Sequence, residues 1–284
     1  MTYDPSMIKD FRIGTVNVHV FRHPKTCRSN AQELASILDP FNLDVLAVEE
    51  VKNDYDWKLL CDNLSLEHSI FGASHGNSYG NAIASRHPIV EYSNQKSKIN
   101  VDGGYRAMLR CCFGGSHPFV QNRRFAVTHL DHLNEDDRLM QIKEFSPHSH
   151  NINVLVGDMN ALTRNDYSDK YFHEIVTGKR EKAGWEMPRF ELTQLLTDTW
   201  GFQDAFRHVN PKLKDEQVAT CPYGTRIDYI FLHPLSNDEW LLKECFIIDT
   251  HQATDHHAIV ATFEHKSKSE NCTDNDKSVK NSHK

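Results

Sequence analysis

The chain has 284 residues, 39% hydrophobic and 25% charged, with 13 Gly and 10 Pro, which excludes fibrous, membrane-embedded and fully disordered classes. It carries 32 Lys and Arg against 39 Asp and Glu, a formal net charge of -7, so its overall field repels polyanions and any nucleic-acid groove has to be built locally. Seven cysteines without a Cys-x-x-Cys pair, no run near ~18 apolar residues and no basic-then-apolar leader at the start lead us to expect reduced, mostly buried thiols, no membrane span, an intracellular setting (cytoplasmic or nuclear) and a monomer.

No repeat and no Pro-rich or Gly/Ser-rich linker divides the chain. One domain is expected over residues 11–264, after an N-terminal extension of residues 1–10 and before a polar tail of residues 265–284. That tail is too poor in aliphatic side chains to offset its ordering entropy. In chain order, strands are expected over residues 12–20, 44–51, 81–85, 107–113, 125–130, 152–156, 226–232, 245–248 and 257–263, from their β-branched and alternating patterns. Helices are expected from Ser29-Asn30-Ala31-Gln32, read as a capping box before Ala31, Leu34, Ala35 and Leu38, and over residues 136–145 and 190–200, the last ended by Gly201. So many strands with few helices predict an α+β architecture, two sheets packed face to face with helices outside.

The informative residues are polar ones where strands end. In the first strand, alternation places Thr15, Asn17 and His19 on the face opposite Val16, Val18 and Val20. The second runs into Glu49 and Glu50, which by alternation point to opposite faces, and a carboxylate at a strand end is a group a Mg²⁺ site can use. The strand ending in Thr128-His129-Leu130-Asp131-His132 carries two imidazoles, and Gly157-Asp158-Met159-Asn160 follows an apolar strand. Asp228 interrupts an apolar strand and needs a partner there, and Thr254-Asp255-His256-His257 precedes the last strand. Each cluster alone reads as well as a solvated strand end or a turn; their conjunction carries the argument.

Seven motifs in order then resemble the endonuclease/exonuclease/phosphatase superfamily, with its deoxyribonuclease-I-like fold: Thr15–Val18, Leu46–Val51, Gly80–Arg86, Thr128–Leu130, Gly157–Asn160, Arg226–Tyr229 and Thr254–His256. The resemblance implies a four-layer αββα sandwich of mostly antiparallel sheets and divalent-metal-dependent phosphoester hydrolysis. It implies that Glu50 is the principal Mg²⁺ ligand, with Mn²⁺ able to substitute and with Asn17 and Asp255 nearby. Asp158 and Asn160 would orient the attacking water and a phosphate oxygen. His256, paired with Asp228, would be general base or electrostatic partner, and His129 would contact the phosphoryl oxygen or assist the leaving group. His19, Asn81, Arg106, His132 and Arg138 are further candidates for phosphate contact, with Arg86 and Gln141 behind them. Two features depart from the common pattern: Glu49 stands where Gln is usual, and His129 where the abasic-site endonucleases carry Tyr, which places the chain with the His-bearing branches.

Chemistry asks for the same residue types. Mg²⁺ takes a few hard oxygens and keeps waters, and an imidazole fixed by a carboxylate offers a proton acceptor near neutral pH. The leading expectation is a phosphodiesterase or nuclease acting on a nucleic-acid end or a small phosphodiester. A small-molecule phosphatase of the inositol-phosphate or sphingomyelin-hydrolase kind is the alternative, and a catalytically inactive scaffold of the same fold is a second. The acidic net charge favours a compact substrate. Trp57, Trp185, Trp200 and Tyr223 could stack on a base, although the core is the commoner place for most of them.

Overall fold

A computed structural model describes residues 10–99 and 104–266. The expected N-terminal extension, apart from Asp10, and the expected tail beyond Lys266 lie outside the described residues, as does Cys272.

Among the described residues twelve strands form two six-stranded sheets. The first has the order β11 (Trp240–Ile248), β12 (Ala258–His265), β1 (Phe11–Asn17), β2 (Val45–Lys52), β4 (Tyr79–Ser85) and β3 (His68–His75). The second runs β5 (Ile89–Lys96), β6 (Ala107–Phe113), β7 (Arg124–Thr128), β8 (Val154–Asp158), β10 (Asp228–Leu232) and β9 (Gln203–Asp204). Neighbours are antiparallel except β1 with β2 and β7 with β8, one parallel pair near the middle of each sheet.

Alternation along the strands builds the layers. Phe11, Ile13, Val45, Ala47, Val127, Val156, Ile230 and Ile259 face inward and form the core between the sheets. Val16, Leu46, Val48 and Val260 face outward, against α1 (Ala31–Leu38) and α2 (Tyr55–Asn63). On the other side Met108, Ala126, Leu155 and Phe231 pack against α3 (Glu135–Phe145) and the helix that begins at Glu191. This is the four-layer sandwich that the motif order implies.

The unexpected strands β3 and β5 are outer strands of their sheets, and β5 is largely exposed. A strand with one free edge and one wet face needs few apolar residues, so its periodicity is weak. The expected capping box does not form: Asn30 takes the N-cap position, and its buried amide donates to Val18 O and Ala253 O. The first strand stops at Asn17, three residues short of expectation, because His19, Val20 and Phe21 all adopt left-handed φ. That turn lets both Val18 and Phe21 pack toward α1. Cys61, Cys111, Cys221 and Cys245 are buried free thiols, whereas Cys27 is exposed.

Candidate active site

The inward face of each central strand is apolar at one end and polar at the other. Phe11 and Ile13 lead to Thr15 and Asn17, Val45 and Ala47 to Glu49, Val154 and Val156 to Asp158, and Leu232 and Ile230 to Asp228. Parallel pairing brings the ends of β1 and β2 to one edge, where Asn17 stands opposite Glu49, and antiparallel pairing sets Asp228 opposite Asp158 in the facing sheet. Residues far apart in sequence are thereby gathered at one end of the inter-sheet core.

Glu49 and Glu50 depart from the alternation expected of them. The pairing of β2 with β4 shifts between Val48 and Val51, and Glu50 has φ 54°. This bulge turns both carboxylates toward the same cluster instead of opposite faces. Glu49 is fully buried below, where its Oε1 accepts from Thr15 Oγ1 at 2.8 Å. Burial, and then the nearby Asp228 carboxylate, push the Glu49 acid well above its ordinary range. Glu50 lies above it, open to the cavity, with Oε1 accepting from Asn17 Nδ2 at 3.2 Å.

Asp158 is held by a second special backbone. Gly157 has φ 131°, and a Cβ there would lie 2.0 Å from Thr128 O, so only glycine lets β7 and β8 approach this closely. Asn160 is left-handed as well, and its N–H donates to Asp158 Oδ1 at 2.9 Å. A turn rather than strand alternation therefore brings Asp158 and Asn160 together. The Asn160 amide donates to His129 Nε2 at 3.1 Å and to Leu130 O at 3.2 Å. Both its hydrogens are thus engaged, and the proton of neutral His129 is left on Nδ1, 4.0 Å from Glu50 Oε1. Burial, then the charges of Arg106 and His256, hold His129 well below the usual histidine range.

Asp228 finds its partner in His256, whose Nδ1 lies 2.9 Å from Asp228 Oδ2 while its Nε2 is 3.8 Å from Asp158 Oδ2. Burial alone would lower the His256 value, but the Asp228 charge and hydrogen bond outweigh it and hold the imidazolium well above the ordinary range. Asp158 is raised by burial and by the Asp228 charge.

A cavity of about 540 Å³ opens over this cluster. Glu50, Asp158, His129, Asn160, Asp255, His256, Arg106 and His132 line it. Asn17 and Asp228 support it from beneath. His19 stands at the rim, its Nδ1 3.5 Å from Asp255 Oδ1, and it arrives there through the left-handed turn rather than on a strand. Four expected contacts lie elsewhere. Asn81 is buried with its amide on Ala107 O. Arg138 is buried between Glu135 and Glu186. Gln141 accepts from Asp131 N. Arg86 follows the end of β4 opposite Asp44, at the far end of the sheet.

Tyr79, Tyr105, Cys221 and Tyr223 also line the cavity, and sequence reasoning assigned none of them to the catalytic cluster. Tyr79 hydrogen-bonds Glu50, and burial followed by the Glu50 charge raises its phenol. The strand pattern offers no signal for it, because the β2 bulge decides which β4 residue faces Glu50.

Carboxylate oxygens dominate the donor set, which fits a hard divalent cation. Asp158, Asp228 and His256 place their polar atoms within 4.8 Å of one another, but an imidazolium kept charged by Asp228 has no lone pair to give a cation, which leaves the oxygens of the carboxylates as the donors. Glu50 and Asp255 add more accessible carboxylates. Asn17 presents its amide hydrogens to Glu50 and Asp158 and accepts from His19 N with Oδ1, so it orders the two carboxylates, and a second lone pair on Oδ1 stays available beside them.

The family model described as Endonuclease/Exonuclease/phosphatase family matches residues 14–256. No curated protein matches the sequence. Among solved structures, a 3' phosphatase from Neisseria bound to product DNA hairpin is 19% identical at a TM-score of 0.62, covering 89% of this chain and 99% of its own. A mannosyl-6-phosphatase from Bacteroides thetaiotaomicron is 16% identical at 0.62, over 89% and 99%. D. rerio TDP2 complexed with single strand DNA product is 16% identical at 0.60, over 90% and 99%. At these identities the likeness establishes a shared fold.

Proposed function

The chain belongs to the endonuclease/exonuclease/phosphatase family, and from that premise we propose that it is a Mg²⁺-dependent phosphoester hydrolase of the phosphodiesterase or nuclease type, with Mn²⁺ able to replace Mg²⁺. The observation that carries this reading is the convergence of Glu50, Asp158, His129 and the Asp228–His256 pair on one cavity. Glu50 and Asp255, with Asp158 beside them, would hold the cation, which would supply positive charge against the phosphoryl oxygens.

The chain's own groups divide the remaining work. Asp158, bracketed by His129 Nε2 at 3.6 Å and His256 Nε2 at 3.8 Å, orients the attacking water and takes its proton. His256, kept positive by Asp228, stabilises negative charge growing on the phosphoryl group. His129 directs its Nδ1–H toward the substrate side, with Asn160 fixing that tautomer. Arg106, whose guanidinium lies 3.2 Å from His132 Nδ1, gives the opposite wall a cation for a phosphate oxygen. Asn17 and Tyr79 keep Glu50 in place.

The test is incubation of purified protein and Mg²⁺ with single-stranded DNA, RNA, tyrosyl-linked DNA, inositol phosphates and sphingomyelin, with Asp158→Asn as control. Hydrolysis of a phosphodiester that the variant loses is expected. Turnover of none of them would end this reading and favour the scaffold, turnover of inositol phosphates alone would favour the small-molecule phosphatase, and equal turnover by the variant would place the chemistry outside Asp158.

A further inference from the structure

A second cavity, of about 500 Å³, adjoins the catalytic one and shares His132, Asn160, Cys221, Tyr223 and Ile227 with it. Its size is that of a small-molecule site. Its far wall comes from α4 (Gly178–Ala183) and the turn after it. Gly184 ends that helix at φ 66°, and the chain folds back so that Trp185 N donates to Arg180 O. Trp185 is thereby laid against Tyr223, with ring centroids 4.7 Å apart and planes at 88°. Both rings stay exposed, at 43% and 50%, and an edge-to-face pair leaves a ring face open. Large aromatic side chains left uncovered beside a reaction centre call for an aromatic occupant.

The charges in this cavity narrow the choice. Lys179 Nζ donates to Tyr223 O and Arg180 to Glu186 O, so both cations are held by backbone carbonyls, and neither forms an ion pair with a carboxylate within 4 Å among the described residues. Glu186 lines the same cavity, but its carboxylate is taken up by Arg138 at 2.9 Å and Arg189 at 3.5 Å. They favour an anion beside the ring and disfavour a quaternary ammonium headgroup, which an aromatic pair alone would accept. A polyol phosphate would use the cations and leave the rings bare. We infer that this cavity is the subsite for an unpaired nucleotide next to the scissile phosphate, its base stacked on Trp185 and Tyr223 and its neighbouring phosphate beside Lys179 and Arg180. The base must be unpaired because only a free base face can reach a ring. The inference deepens the hydrolase reading and rests on it for the identity of the scissile bond.

Binding tests the subsite separately from turnover. The anisotropy of a labelled decathymidylate, of an abasic strand of equal length and of the duplexed decathymidylate is followed with the full chain and Ca²⁺ in place of Mg²⁺. The wild type is expected to bind decathymidylate about tenfold more tightly than the other two. Trp185→Ala and Tyr223→Ala, both at exposed positions, bring the base-containing strand toward the abasic affinity. Equal wild-type affinities, or a base preference that survives in both variants, would overturn the subsite even if phosphodiesters are hydrolysed. A base preference in a protein that hydrolyses nothing would leave the subsite standing and remove the hydrolase reading.

Discussion

His256 Nδ1 lies 2.9 Å from Asp228 Oδ2, and both residues are buried. This contact holds His256 above its ordinary value, so the ion pair's contribution to stability is complete below about pH 6.5 and is lost as pH rises through the raised value. In the proposed role the positive imidazolium is the active form, so kcat/KM falls on that same rise. Asp228→Asn removes the charge and lets the His256 value drop, and the alkaline limb should move to lower pH. A pH–rate profile whose alkaline limb is unmoved in this variant would refute the role.

Glu50→Gln, Asp158→Asn and His256→Ala each remove a group facing the catalytic cavity. Each is expected to lower Mg²⁺-supported phosphodiester hydrolysis by about 10²–10⁴-fold while leaving the circular dichroism spectrum native. Full activity in all three would place the chemistry elsewhere.

Because the donor set is mostly carboxylate oxygen, chelation should abolish hydrolysis and Mg²⁺ or Mn²⁺ should restore it, with Zn²⁺ a poor substitute. Rates measured after EDTA treatment and metal add-back decide this, and EDTA-resistant activity is the contrary result.

Gly157→Ala puts a methyl group 2.0 Å from Thr128 O at a φ of 131°. The strand pair β7–β8 would have to separate or the backbone accept strain, at a cost of about 1–3 kcal/mol or more. Thermal unfolding should show a clear fall in Tm, and activity should drop as Asp158 is displaced.

Arg226 is fully buried and bridges Asp166 and Asp204, with Nε 2.8 Å from Asp166 Oδ2 and Nη2 2.6 Å from Asp204 Oδ2. Arg226→Met leaves two buried carboxylates with Arg207 as the nearby cation, and a loss of about 3–5 kcal/mol is expected in denaturant unfolding. Because Asp228 is two residues along the same segment, the loss should carry over to activity.

Two packed sheets with helices outside, most of the strands and the identity of the polar clusters were legible from alternation, because a buried strand must show its apolar face every second residue; the four-layer αββα order followed from the family resemblance of the motifs. Where alternation stops, so did the reading. Glu49 and Glu50 face one cluster because a bulge intervenes, His19 reaches the rim through a left-handed turn, and Asn160 meets Asp158 through a turn hydrogen bond. Asn81 and Arg138 carry the right chemistry, yet the first lies opposite the bulge with its amide on β6 and the second is enclosed by Glu135 and Glu186.

What the sequence determined by itself was which residues end the strands and what chemistry they bring, since those are properties of composition and local periodicity. Tertiary structure alone decided which of them share a cavity. Asn17 and Asp158 are 141 positions apart and 3.2 Å from contact to contact, a proximity set by two parallel strand pairs in facing sheets. The same packing chose Tyr79 to support Glu50, because side-chain neighbours across strands depend on register, which no single strand encodes, and the meeting of two turns remote in sequence laid Trp185 on Tyr223 beside the reaction centre.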